Sequence, residues 1–193
     1  ALLSIFAVSC GSDSEGGSAT TTEAGGSSET TAAADPDSPG PAPKPLDEMT
    51  DGIVARIQQL ADERRWEVLF ITTRPLAAGA TTQVQSQEWL ASKGFRHPSV
   101  YVVKGSRGKV ATALDLAAVV DDRPENCLDV ATESAAKAIL VWPGSTDALG
   151  PGVARHGVVV TASIGEALDE LVQMDRVKRG GVVRSIKRLF GKQ

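Results

Sequence analysis

Three stretches of the sequence decide the fold: WEVLFITTRP at 66–75, QSQEWLASKGF at 85–95, and SVYVVKGSRGKVATALDLAAVVDDRPENCLDV at 99–130. In these stretches, short runs of aliphatic residues alternate with segments whose apolar residues recur at helical spacing. Near-continuous apolar strands are typical of parallel sheets that helices cover on both faces. We therefore predict an α/β fold with a Rossmann-like, doubly wound parallel sheet.

Over the whole chain, the apolar pattern predicts five strands and four helices. The strands are predicted at 67–71, 99–103, 117–120, 138–142 and 158–160. The helices are predicted at 46–60, 82–93, 109–114 and 164–174. Gly94 is a suitable stop for the second helix. The buried face of the first helix is predicted to consist of Leu46, Met49, Ile53, Ile57 and Leu60.

The composition divides the chain into four segments. Residues 1–10 are an apolar run that ends in Cys10, and residues 11–45 contain almost no large apolar side chain. The second segment cannot bury enough surface to offset its ordering entropy, so we predict a disordered linker. Residues 46–175 carry the α/β pattern. Residues 176–193 form a basic tail with apolar residues on one helical face, which fits either an anionic membrane surface or its own domain.

Polar side chains stand where the predicted strands end, which is where doubly wound sheets bind ligands. Thr72 follows the first strand, Lys109 opens the helix after the second, and Asp121 and Asp122 end the third. Thr72 and Lys109 are candidate phosphate ligands, although Thr72 would also serve as a simple turn cap. The adjacent carboxylates of Asp121 and Asp122 suit Mg²⁺, because two charges at a buried strand end are costly unless they are paired or metal-bound.

Together with these polar residues, the three stretches resemble the second, third and fourth motifs of haloacid-dehalogenase-like hydrolases. The resemblance is greatest to the branch of deoxyribonucleotide 5′-phosphatases, and the run Asp121-Asp122-Arg123-Pro124-Glu125-Asn126 is its most specific part. It implies a fold of that family without a cap or with a disordered cap segment, Mg²⁺ as cofactor, and a phosphorylated small molecule as ligand. It also implies the phosphate-binding roles of Thr72 and Lys109 and the metal-binding roles of Asp121 and Asp122.

The family's first motif, an Asp-x-Asp at the end of a central strand, is not recognisable. The spacing occurs in Asp35-Pro36-Asp37, but prolines and small residues surround it, which indicates a linker. Three interpretations of the N-terminus stay open. It is the end of a truncated lipoprotein signal with a lipid-modified Cys10, or Leu2–Val8 is a degenerate first strand that places Ser9-Cys10-Gly11 at the site, or unrelated pieces are joined.

These alternatives leave two functions open: a Mg²⁺-dependent phosphohydrolase with a missing or degenerate nucleophile, or a non-catalytic phosphate-binding or interaction module. The net charge of −4 gives no reason to expect nucleic-acid binding. Membrane attachment would go through the Cys10 lipid or the basic tail; without an export signal the protein would be cytoplasmic. The isolated histidines, His97 and His156, give no case for zinc. The oligomeric state cannot be read from the sequence.

Overall fold

The structure is a computed structural model that describes residues 48–73 and 79–190, without the side chains of 180–190. The predicted segments at 1–10 and 11–45, including Cys10 and the Asp35-Pro36-Asp37 run, lie outside the described residues. The elements in chain order are α1 (Ile53–Arg64), β1 (Leu69–Thr72), α2 (Thr82–Ser92), β2 (Ser99–Val102), α3 (Arg107–Ala113), β3 (Ala118–Asp121), α4 (Pro124–Glu133), β4 (Lys137–Val141), a 3₁₀ turn (Thr146–Ala148), α5 (Pro151–Arg155), β5 (Val159–Thr161) and α6 (Ile164–Phe190).

All strand pairs in the described part of the chain are parallel, and they form two sheets. One sheet has the order β1-β2, and the other has the order β3-β4-β5. Burial shows which strands lie at the outside. Every residue of β3 is buried and β1 is buried at three of its four positions, whereas β2 exposes Ser99 and Tyr101. In β5 only Thr161 is buried, so β2 and β5 are the outer strands.

The two sheets lie side by side in one layer, because both of their faces belong to shared cores. On one face, Phe70 of β1 belongs to the same apolar cluster as Val120 of β3. On the other face, Ile71 of β1 belongs to the same cluster as Val119 of β3. Two sheets stacked face to face would share only one core. β1 and β3 therefore face each other across an edge that no described strand pairs.

Helices cover this layer on both faces, as predicted for a doubly wound sheet. The first cluster takes its helical residues from α1, α2 and α6, including Ile57, Leu90 and Leu168. The second takes them from α3, α4 and α5. The α/β class and the parallel strands are thus confirmed.

Several predicted boundaries change in the structure. α1 begins at Ile53, and Met49 is more than half exposed, so its prediction as part of the buried face was wrong. Helices α4 and α5 were not predicted, because their short apolar patterns resemble loop sequence. α6 begins at Ile164 as predicted but continues to Phe190, so the basic tail extends this helix.

Candidate functional site

The carboxyl ends of the strands meet at one edge of the layer. Thr72 ends β1 and is buried, and its carbonyl accepts a hydrogen bond from the Val103 amide just after β2 at 2.9 Å. Arg107, the first residue of α3, reaches Asp121 at the end of β3. The predicted site residues Thr72, Asp121 and Asp122 therefore lie at this edge. The boundary between β1 and β3, which no described strand fills, separates Thr72 from the aspartates.

Asp121 is buried and held by several donors. Its Oδ1 accepts hydrogen bonds from the Arg123 amide at 2.9 Å and from Asn126 Nδ2 at 3.0 Å. Its Oδ2 accepts from the same Asn126 nitrogen at 3.0 Å. Burial raises the pKa of Asp121 from its ordinary value to about 6, because desolvation outweighs these hydrogen bonds and the positive charge of Arg107. The hydrogen bonds thus hold the carboxylate in place, but together with Arg107 they do not fully offset the cost of burying its negative charge.

Arg107 is the cation that faces this carboxylate. Its side chain is only 3% exposed, and its Nε lies 3.7 Å from Asp121 Oδ2, which is an ion pair but too long for a hydrogen bond. Neither Nε nor Nη1 of Arg107 has a hydrogen-bond partner among the described residues. Burial lowers the pKa of Arg107, yet a guanidinium keeps its charge in proteins. A buried charge with unused donors at a strand edge is a feature that fits an anion ligand.

The start of α3 is held rigidly against α4, and this positions Arg107. The Ser106 hydroxyl caps α3 by accepting a hydrogen bond from the Lys109 amide at 2.9 Å. Asp129 of α4 accepts hydrogen bonds from the Ser106 hydroxyl and the Gly108 amide, each at 3.0 Å. At Gly108 a Cβ atom would lie 2.7 Å from Glu133 Cβ and would also meet the Asp129 carbonyl oxygen. Only glycine therefore lets α3 approach α4 this closely.

Lys109 does not join this arrangement. It is exposed and lines a shallow surface depression with Thr112, Ala113 and Glu133. Two residues along a helix turn a side chain by about 200°, so Lys109 and Arg107 lie on opposite sides of α3. The cation beside the aspartates is Arg107, which the sequence analysis missed. Its position depends on the close packing at Gly108, which no local pattern reveals.

The residues at this edge fit Mg²⁺ in part. Within residues 48–73 and 79–190, no group of three or more His, Cys, Asp or Glu side chains forms a metal cluster. The edge supplies two adjacent carboxylates, and Mg²⁺ often uses one or two carboxylates together with water and phosphate oxygens. Asp121 Oδ1 already accepts two hydrogen bonds, whereas Oδ2 accepts one. A cation at this edge would be held by Asp121 Oδ2 and the Asp122 carboxylate.

Cys127 lies beneath the site without contributing a reactive group. Its thiol is buried and lies 3.6 Å from the Ile139 carbonyl oxygen. Burial and the nearby charge of Asp121 raise the pKa of this thiol far above its ordinary range. A thiol that stays protonated is a poor nucleophile, so Cys127 contributes to packing and not to chemistry.

No family model, curated protein or solved structure matches this chain. The resemblance to haloacid-dehalogenase-like proteins therefore stays a prediction that depends on the quoted motifs. None of the described helices is both long enough and apolar enough to cross a bilayer.

Proposed function

We propose that this chain is a haloacid-dehalogenase-like domain that binds a phosphorylated small molecule together with Mg²⁺ at the carboxyl edge of its strands. The observation that carries the proposal is the buried Arg107 guanidinium beside Asp121, whose Nε and Nη1 have no hydrogen-bond partner among the described residues. A guanidinium is well matched to phosphate because its planar fork of N–H groups donates to two oxygens at once.

The local charge explains why the cation and the phosphate would bind together. Asp121, Asp122 and Arg107 sum to one negative charge, which would repel a phosphate dianion. A bound Mg²⁺ reverses this sign and supplies further attraction for phosphate oxygens. In this arrangement Asp122 and Asp121 Oδ2 hold the cation, while Arg107 and the Thr72 hydroxyl bind the phosphate oxygens.

Hydrolysis of the phosphoric monoester is the activity that the family resemblance implies. It needs a nucleophile, and a carboxylate of this kind would stand at the end of a strand between β1 and β3. No described residue occupies that position. Phosphate binding without turnover is therefore the function that the described residues support best, and hydrolysis is the second candidate, favoured by the paired carboxylates Asp121 and Asp122.

One set of assays on the full chain distinguishes phosphate binding without turnover from hydrolysis. Binding of inorganic phosphate is measured by calorimetry with and without Mg²⁺, and turnover is measured on p-nitrophenyl phosphate and deoxynucleoside monophosphates. We expect Mg²⁺-dependent phosphate binding that Asp122→Asn abolishes. Asp62→Asn is the matched control, because Asp62 is an exposed carboxylate paired with Arg96, which lies just before β2 at the opposite edge. Phosphate binding that survives Asp122→Asn would contradict the proposal.

Turnover decides between the two candidates. Hydrolysis that Asp122→Asn removes and Asp62→Asn leaves intact would establish a phosphohydrolase. Phosphate binding with no turnover above that of Asp122→Asn would establish a binding module. If the chain shows neither phosphate binding nor turnover, both candidate functions are wrong.

A further inference from the structure

The edges of β1 and β3 that face each other are buried, and the described residues leave them unpaired. The Thr72 carbonyl accepts from the Val103 amide, so Thr72 points its backbone groups toward β2. Since these groups alternate sides along a strand, the N–H and C=O of Ile71 point away from β2. They therefore point toward β3.

The same reasoning applies to β3. The Lys137 amide donates to the Ala117 carbonyl at 3.1 Å, so Ala117 and Val119 point their backbone groups toward β4. Ala118 and Val120 therefore point theirs away from β4, toward β1. The two edges thus present rows of donors and acceptors to each other, and no described strand lies between them.

These backbone groups are shielded from water. Ile71 is 1% exposed, Ala118 0% and Val120 1%. A buried N–H or C=O without a partner destabilises the fold, and nearly all such groups in folded proteins are paired. The burial of β1 and β3 thus indicates that a further strand completes the layer.

We propose that residues Leu2–Val8 of this same chain occupy the slot between β1 and β3 as a strand. A strand in this position is covered on both faces, so it must be apolar along its length. Between residues 1 and 45, Leu2–Val8 is the one run with that composition. Its seven residues cover the four-residue lengths of β1 and β3.

The connecting segment is long enough for this assignment. Residues 9–47 are rich in Gly, Ser, Thr and Ala. A chain of this length spans up to about 130 Å when fully extended. A domain the size of residues 48–175 has a radius of gyration of about 14 Å. The linker therefore reaches either edge of the layer, and a parallel strand would bring Ser9 and Cys10 to the site edge without adding a carboxylate.

The proposal does not depend on phosphate binding, and its first test uses the unaltered full chain. In an isotope-labelled sample, we expect nuclear Overhauser contacts from the backbone of residues 2–8 to Ile71 on one side and to Ala118 and Val120 on the other. Contacts from a different segment to these residues would overturn the assignment. Contacts that appear only between differently labelled copies would also overturn it, in favour of a strand from a second molecule.

A matched pair of proline variants gives the second test. Proline at position 5 removes a ladder donor in the proposed strand, so we expect Ile5→Pro to speed amide exchange at Ile71 and Val120 at least tenfold. Ala33→Pro lies in the linker and should leave both rates unchanged. Unchanged exchange in Ile5→Pro, or a mature protein that begins at a lipid-modified Cys10, would contradict the proposal.

Discussion

Arg107 Nε lies 3.7 Å from Asp121 Oδ2, and both side chains are almost fully buried. The two residues come from different elements, the start of α3 and the end of β3. The distance leaves the donors of Arg107 incompletely used, while Asn126 and the Arg123 amide hold Asp121 from the other side. The pair is therefore fixed in position, and Nε and Nη1 of Arg107 keep N–H groups that no described residue uses.

Removing the cation should destabilise the fold strongly. Arg107→Met keeps most of the buried side-chain volume but leaves the Asp121 carboxylate without its ion-pair partner. Removing one partner of a buried pair typically costs about 3–5 kcal/mol, so we expect a loss of this order in the free energy of unfolding at pH 8. Denaturant unfolding followed by circular dichroism measures it.

The control for this prediction is Arg96→Met. Arg96 pairs with Asp62 on the surface, with side-chain exposures of 69% and 52%. Exposed pairs of this kind contribute about 0–1 kcal/mol, so the control should remain close to the wild type. Equal losses in the two variants would show that the Arg107–Asp121 pair has no special importance.

Stability should depend on pH through Asp121. The pKa of Asp121 is raised from 3.8 to about 6, so its ionisation opposes folding. Its contribution is most favourable below about pH 4 and is lost as the pH rises through 6. The free energy of unfolding of the wild type minus that of Asp121→Asn should therefore fall between pH 4 and 8, by an amount on the order of 3 kcal/mol. A difference that is flat over this range would contradict the raised pKa.

Gly108 should tolerate no side chain. Gly108→Ala adds a Cβ atom that would meet the Asp129 carbonyl oxygen and the Glu133 side chain. Although alanine favours helix, we expect a net loss of about 1–3 kcal/mol in the free energy of unfolding, because α3 must move away from α4. Gly105→Ala is the matched control, since nothing lies within 4 Å of a Cβ atom there. Gly108→Ala as stable as Gly105→Ala would contradict the close packing.

The two cations of α3 should differ in their effect on ligand binding. Lys109 is exposed on the far side of the helix, so Lys109→Met should change phosphate affinity by less than about threefold. Arg107→Lys keeps the positive charge but loses the planar fork, so we expect at least a tenfold loss, about 1.4 kcal/mol. Calorimetric titration with phosphate and Mg²⁺ measures both. A larger loss for Lys109→Met would restore the role that the sequence predicts for it.

The sequence predicted the strands and the position of the aspartates well, because aliphatic runs ending in polar residues mark buried parallel strands. It singled out Lys109 and did not identify Arg107, which stands two residues away in the same helix and pairs with Asp121. Which of them turns inward depends on the tertiary contact of Gly108 with α4. The hydrogen bonds that Asn126 donates to Asp121 were not predicted either, because α4 itself was not predicted.

A first strand at Leu2–Val8 was only one of three interpretations of the N-terminus that the sequence left open. Composition alone favours an exported, lipid-anchored N-terminus over a first strand, because the low-complexity segment after the apolar run matches a lipoprotein tether. The alternation of backbone groups at Ile71, Ala118 and Val120 becomes visible only in the strand registers. The spacing of apolar residues in the sequence cannot show which strand edges are paired, since it indicates only which side chains are buried.

Calorimetric titration of the full chain with inorganic phosphate in the presence of Mg²⁺ tests whether the carboxyl edge of the strands binds phosphate and Mg²⁺. The wild type should bind phosphate only with Mg²⁺ present, and the affinity should fall as the pH drops below 6, where Asp121 becomes protonated. Asp122→Asn, checked for native circular dichroism, should not bind, and Asp62→Asn should bind like the wild type. Absence of phosphate binding by the folded wild type, or equal binding by Asp122→Asn, would contradict the assignment of this edge as a phosphate and Mg²⁺ site.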